Sequence, residues 1–482
     1  MYSFIICLCV LVLGSFFYGK LVEKIFNPDP NRITPAINHA DGVDFIALPT
    51  LKVYMIQFLN IAGTGPIFGA IMGAKFGPSA YIWIVLGSIF AGAVHDYLTG
   101  MISMRNDGCS LPHMVEMYLG KKTSSVVRLF TVFLLILVGA VFIYSPAQIL
   151  GDMTGGTNMA FMIWAGVIFL YYIIATLLPV DKVIGRIYPL FAAALLFMAI
   201  ALLISLLIKW PSLPEFWDGL QNRTKQNGTG QSIFPALFIT VACGAISGFH
   251  ATQGPMMARC MKNETLGRPI FYGAMITEGI VALVWAAISS YFFYGGGAAE
   301  TGMPLTANAP QVVNAISRSW LGALGGILAL LGVVAAPITS GDTSLRSARL
   351  IFAEFFHIEQ KKNSQRLVIA VPMFAAVAAL LWFNIQHTEG FNIIWQYFGW
   401  GNQTLAVFTL WTLTVFLARE RSGCSYLITM IPACLMTSVC ATYICTQKIG
   451  LNMPVSWTPA IAAIVGAVSV VLFYIWYGKS RK

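Results

Sequence analysis

Long apolar runs separated by short polar stretches repeat along the whole chain. They fall at about 2–19, 51–75, 78–104, 123–150, 160–179, 183–208, 231–258, 268–295, 319–345, 366–384, 396–418, 425–446 and 456–478. Most reach the roughly 18 residues an α-helix needs to cross hydrocarbon. The pattern predicts an all-α polytopic membrane protein with about 13 transmembrane helices. Two runs are interrupted: AGTGP at Ala62–Pro66 and ACGAISGFHATQGP at Ala242–Pro255. Gly and Pro at that density leave backbone N–H and C=O groups without helical partners. In lipid each such group costs several kcal/mol, so these breaks belong where they line a cavity or ligand site. Interrupted helices in corresponding positions of two halves point to a secondary transporter.

Composition agrees with this class. The chain is 57% hydrophobic and 10% charged, with mean hydropathy +0.75. Met1–Phe17 lacks a basic leader, and Lys20 and Lys24 follow the apolar run, so it reads as a retained first helix. The nine cysteines show no metal spacing. The net charge of +10 could suggest nucleic acid, but its distribution reads as membrane orientation. With 13 segments the termini face opposite sides. Of the 29 basic residues, Lys75, Lys209, Arg223, Lys225, Arg318 and Lys448 fall on one side. The other 23, among them Lys361, Lys362 and the tail Lys479, Arg481 and Lys482, fall on the opposite side. The positive-inside rule then places the N-terminus outside and the C-terminus in the cytoplasm. The outer stretch Pro304–Trp320 predicts a short surface helix.

Polar residues at membrane depth are expensive and mark candidate sites. Tyr54, Gln57, Asn60 and Thr64 lie in the first broken segment. Ser247, His250, Thr252 and Gln253 lie in the second. His95, Asp96, Glu278, Asp342, Asn402 and Gln403 lie in other segments. Bland readings stand beside the functional ones. Asn402 and Gln403 serve equally as helix–helix glue. Asp342 and Arg346 pair at i,i+4, and His95 with Asp96 can be a structural pair. A half-helix N-terminus suits a carboxylate, so Gly63, Thr64, Gly65, Gly244, Ser247, Phe249, His250 and Gln253 are the substrate-binding candidates. Ala336, Thr339 and Ser340 share a helical face, and with the Ala62 and Gly65 carbonyls they form a candidate Na⁺ site. A Ser/Thr packing face is the alternative there. If protons couple instead, His95, Asp96, His250 and Asp342 are the titratable carriers. No HExxH, GxSxG or acidic metal cluster supports a membrane enzyme. A sensor or channel without coupled transport remains as a further alternative.

Several runs carry a specific resemblance. TPAINHADGVDFIALP (Thr34–Pro49), NIAGTGPIFGAIMGAKFG (Asn60–Gly77), GSIFAGAVHDYLTGMISMRNDGCSL (Gly87–Leu111), CGAISGFHA (Cys243–Ala251), PITSGDTSLRSARLI (Pro337–Ile351) and FGWGNQTLA (Phe398–Ala406) closely resemble the carbon starvation protein A family. The resemblance implies a starvation-induced inner-membrane importer of short peptides or pyruvate, within the amino acid–polyamine–organocation superfamily. It also implies an inverted five-plus-five repeat: 1–27 an extra helix, 51–210 the first repeat, 231–420 the second, and 423–478 two additional helices. The chain is short beside larger members, and it lacks a longer Ser/Thr-rich stretch after GFH. The expected partners are a small-molecule substrate and membrane lipids, with no nucleic acid, and the expected cofactor set is empty apart from a bound Na⁺.

Overall fold

In the computed structural model the described residues are 1–42, 44–177, 180–227, 230–358, 363–387, 390–421 and 423–480. Lys361, Lys362, Arg481 and Lys482, which enter the charge-bias argument, lie outside them. Among the described residues ten helices are long and apolar enough to cross a membrane, and a bent pair makes eleven. That pair is Thr50–Ile61 and Gly65–Ala74, joined at an angle of 52°. The two predicted segments still to be accounted for are the second broken helix and the long helix Ala309–Phe356.

The second broken helix runs through Ile233–Leu237 and Phe238–Thr240, loses helical geometry over 241–249, and resumes at His250–Ala258. Among the described residues, 51–210 and 231–420 each begin on a broken helix and contain four further helical crossings. The helix Tyr2–Phe26 precedes them, and Leu427–Thr446 and Thr458–Ser480 follow. The expected surface helix over Pro304–Trp320 starts at Ala309, where Asn308 and Gln311 cap each other's backbone N–H groups. It continues into the membrane helix through Gly322, whose φ of 65° is in the left-handed region that glycine reaches cheaply.

The two breaks lie against each other. A Cβ added at Gly65 would sit 2.3 Å from the Cys243 sulfur, so only a residue without a side chain lets the backbones approach this closely. Small residues serve membrane helices in this way because packing, rather than water exclusion, drives their association. The helix Lys121–Met153 closes one flank, and its Phe142 ring touches the first break at Gly63.

Candidate functional site

The freed backbone groups of the second break can be traced one by one. The Trp83 indole N–H donates to the Val241 carbonyl at 3.0 Å, and the Ser88 hydroxyl to the Gly244 carbonyl at 3.0 Å. The Gln403 amide donates to the Ile246 carbonyl at 2.9 Å. Asn402 Oδ1 accepts the Phe249 N–H at 2.7 Å and the Ser247 hydroxyl at 3.1 Å. Asn402 and Gln403 therefore hold this break open, a more specific task than joining helices. Each contact offsets the cost of a buried unpaired backbone group, about 1–3 kcal/mol.

Around the breaks lies a set of buried polar side chains without hydrogen-bond partners among the described residues. They are both amide atoms of Gln57, both of Asn60, the Thr64 hydroxyl and Gln253 Oε1. Gln57 and Asn60 stand at i and i+3 on one face of the helix that ends at Ile61, and Thr64 lies in the break just beyond it. Gln253 follows the second break, and its amide nitrogen donates to the Thr252 hydroxyl at 2.8 Å. Phe249 meets Phe142 edge-on at 6.2 Å between ring centroids. Of the substrate-binding candidates, Gly63, Thr64, Gly65, Gly244, Ser247, Phe249, His250 and Gln253 all lie on or beside the two breaks, which the fold brings into contact.

Beside them runs a chain of titratable groups. His95 Nδ1 lies 2.8 Å from Asp96 Oδ1, and His250 Nδ1 lies 2.8 Å from Asp96 Oδ2. His250 Nε2 lies 3.4 Å from Glu278 Oε2. All four residues are at most 3% exposed. With Asp96 as the carboxylate, both imidazoles donate to it through Nδ1. His250 Nε2 then faces Glu278, whose two oxygens have no hydrogen-bond partner. One proton can reside on either side of that 3.4 Å gap. The four side chains form a line rather than a cage, and no group of His, Cys, Asp or Glu among the described residues is placed to hold a metal ion. Glu278 was legible as an acid in an apolar run, but its link to His250 was not. The aromatic Phe142 gave no signal at all in its apolar helix.

The remaining candidates lie apart. Thr339 donates to the Ala335 and Ala336 carbonyls at 3.0 and 2.9 Å, and Ser340 donates to the Leu59 carbonyl at 3.0 Å. Ser340 Oγ is also 3.3 Å from the Cβ position of Gly63. The structure thus brings Ser340 to the first broken helix, while Gly65 faces Cys243. Asp342 belongs to neither group, because it accepts from the Tyr188 hydroxyl at 2.8 Å.

The profile of the family described as carbon starvation protein CstA matches residues 1–169, 156–300 and 295–443. An uncharacterized membrane protein of Haemophilus influenzae is 45% identical over 336 residues, covering 60% of this chain and 91% of that protein. The peptide transporter CstA of Escherichia coli is 25% identical, covering 86% of this chain and 76% of that protein. The pyruvate/proton symporter BtsT of Escherichia coli is 26% identical, covering 66% and 51%. The chain thus spans about half the length of this last relative. Among solved structures, a manganese transporter of Eremococcus coleocola aligns with TM-score 0.58 and 12% identity, covering 91% of this chain and 98% of that one. MhsT in complex with L-phenylalanine aligns with TM-score 0.56 and 13% identity, covering 89% and 98%. These likenesses show a LeuT-like fold.

Proposed function

Because the chain belongs to the carbon starvation protein CstA family, we propose that it is a secondary transporter that imports a small carboxylate nutrient, pyruvate or a short peptide, across the bacterial inner membrane together with a proton. In this reading its N-terminus is periplasmic and its C-terminus cytoplasmic. The observation that carries the reading is the buried line His95–Asp96–His250–Glu278 beside the paired helix breaks. Ionisable groups at membrane depth are retained at high energetic cost, and proton relays are a principal reason for keeping them. The relatives named as peptide transporters and as a pyruvate/proton symporter support the substrate class.

The roles follow from position. Substrate occupies the crossing of the breaks, where Gln57, Asn60, Thr64 and Gln253 offer unspent polar atoms. N–H groups near Gly63–Gly65 and Gly244–Gly248 take its carboxylate. A proton on the His250–Glu278 pair neutralises buried charge within reach of the second break. Opening to either side then changes the access of substrate and proton together.

A Na⁺ reading rests on Ala62, Gly65, Ala336, Thr339 and Ser340, favoured by the approach of Ser340 to the first broken helix. Uptake of labelled pyruvate and dialanine into proteoliposomes separates the two. Replacing Na⁺ by choline at fixed pH should leave uptake unchanged, and collapsing the pH gradient should abolish accumulation. Loss of uptake in choline, restored by Na⁺ and removed by Thr339→Ala with Ser340→Ala, would overturn the proton reading. Flux without counterflow would identify a channel.

A further inference from the structure

A chamber lies between the C-terminal half of the first broken helix, the N-terminal part of the second, and the start of helix Gly390–Glu420. Its volume is about 310 Å³, and its lining includes Phe68, Lys75, Gln231, Thr240, Trp395 and Gln396. That is near the lower end of small-molecule sites, roughly 300–1,000 Å³. In the orientation proposed above it opens on the outer side.

Lys75 carries the single formal charge among the residues that line this chamber. The residue is 3% exposed. Its ammonium reaches the Ala307 carbonyl at 3.5 Å and lies 5.0 Å from the Phe293 ring centroid. An ammonium has three donors, and 3.5 Å exceeds the usual hydrogen-bond range. Among the described residues no carboxylate pairs with it. A cation buried without a counter-ion is costly, and the missing partner is an anion. Carboxylates are absent from the lining, so nothing there repels one. Aromatic rings supply the other half of the chemistry. They match a short carbon skeleton, while Gln231 and Gln396 match a carbonyl or amide.

Rings also separate this chamber from the crossing of the breaks. Phe68 lies 6.0 Å from Trp395, Trp395 5.4 Å from Phe398, Phe398 6.0 Å from Phe142, and Phe142 6.2 Å from Phe249, centroid to centroid. The row begins at the chamber wall and ends beside His250.

We propose that this chamber is a capture site for a small organic monocarboxylate, its carboxylate held by Lys75, with the aromatic row standing between it and the helix breaks. The proposal rests on the carboxylate-transport reading for the nature of the ligand. It adds a second binding step, upstream of the crossing, to that reading.

The test uses the purified full chain with Gln396→Cys as a reporter, or Asn308→Cys if that variant does not fold. Maleimide alkylation at the reporter is followed by peptide mass spectrometry. Pyruvate or dialanine should slow alkylation, and uncharged methyl pyruvate should not. Lys75→Gln should raise the half-protecting concentration about tenfold, the size of one hydrogen bond to a charged group. Lys75→Arg should preserve protection. No protection by either carboxylate, or undiminished protection in Lys75→Gln, would overturn the proposal. Proteoliposome uptake is measured on the same preparations. Uptake without protection removes only the capture site, and protection without uptake removes the transport reading and leaves the site.

Discussion

Replacing Glu278 by Gln tests the proposed proton coupling directly. Asp96 spends both oxygens on His95 and His250, whereas both oxygens of Glu278 lack hydrogen-bond partners. In the proposed coupling, Glu278 is therefore the acid of the line assigned to take up and release the proton. Gln keeps the volume and can donate to His250 Nε2 across the 3.4 Å gap, but it cannot exchange a proton. One proton entering with one monocarboxylate moves no net charge, so the pH gradient alone sets the limit. One pH unit is worth about 1.36 kcal/mol, or about tenfold accumulation. Proteoliposomes held about one pH unit more acid outside, with the membrane potential clamped by valinomycin and K⁺, should accumulate pyruvate about tenfold with the wild-type chain. Glu278→Gln should reduce that ratio to about one while retaining exchange of labelled for unlabelled pyruvate. Accumulation that stays near tenfold in the variant, or disappears together with exchange, would refute the reasoning.

His250→Ala should cut uptake at least about tenfold, the equivalent of one polar contact of about 1.4 kcal/mol, with insertion checked by size-exclusion chromatography and His250→Gln as the volume-preserving control. Gly73→Ala places a Cβ 2.2 Å from a Val241 methyl; overpacking of this kind costs about 1–3 kcal/mol, so the melting temperature should fall, and Val241→Ala in the same chain should restore it. Glu215, in the loop before the second broken helix, accepts the Ser3 N–H at 2.7 Å and also binds the N-terminal ammonium. Burial pushes its carboxyl up, but those hydrogen bonds outweigh burial and hold it below the usual carboxylate range. A depressed carboxyl stabilises above its unfolded value of about 4.3 and loses that contribution as pH falls through the lower folded value. Protection of the Tyr2 and Ser3 N–H groups against hydrogen exchange, relative to the intrinsic rate at each pH, should therefore be present at neutral pH, be lost only below about pH 4, and be missing throughout in Glu215→Gln.

The helix breaks were legible because Gly and Pro leave a local signature in an apolar run. Ala62–Pro66 and Ala242–Pro255 needed no knowledge of their neighbours. The surface helix before Gly322 was legible from its polar pattern, but its junction was not, since only a tertiary fold decides where a glycine turns left-handed. His95, Asp96 and His250 were each visible as costly residues. Their union depends on a contact 154 positions apart, which one sequence does not encode locally. Thr339 and Ser340 show the opposite limit. Their spacing suggested converging oxygens, whereas Thr339 bonds back to its own helix and Ser340 reaches across to Leu59. Lys75 was read only as a positive charge on the outer side, because nothing nearby in sequence signals a chamber.

The hydrogen bonds around the second break have a mechanical consequence. Trp83 and Ser88 belong to one helix, Asn402 and Gln403 to another, and all four are tied to residues 241–249. Moving the break relative to either helix would strand several buried donors and acceptors at once, at about 1–3 kcal/mol each. Elements linked this way travel as one piece. Around the first break, by contrast, the side-chain hydrogen bond nearest the gap among the described residues is the single one from Ser340, on helix Ala309–Phe356, to the Leu59 carbonyl just before it. Under the proposed transport reading, the expected hinge is therefore Ala62–Gly65, with the second broken helix as the frame against which it swings.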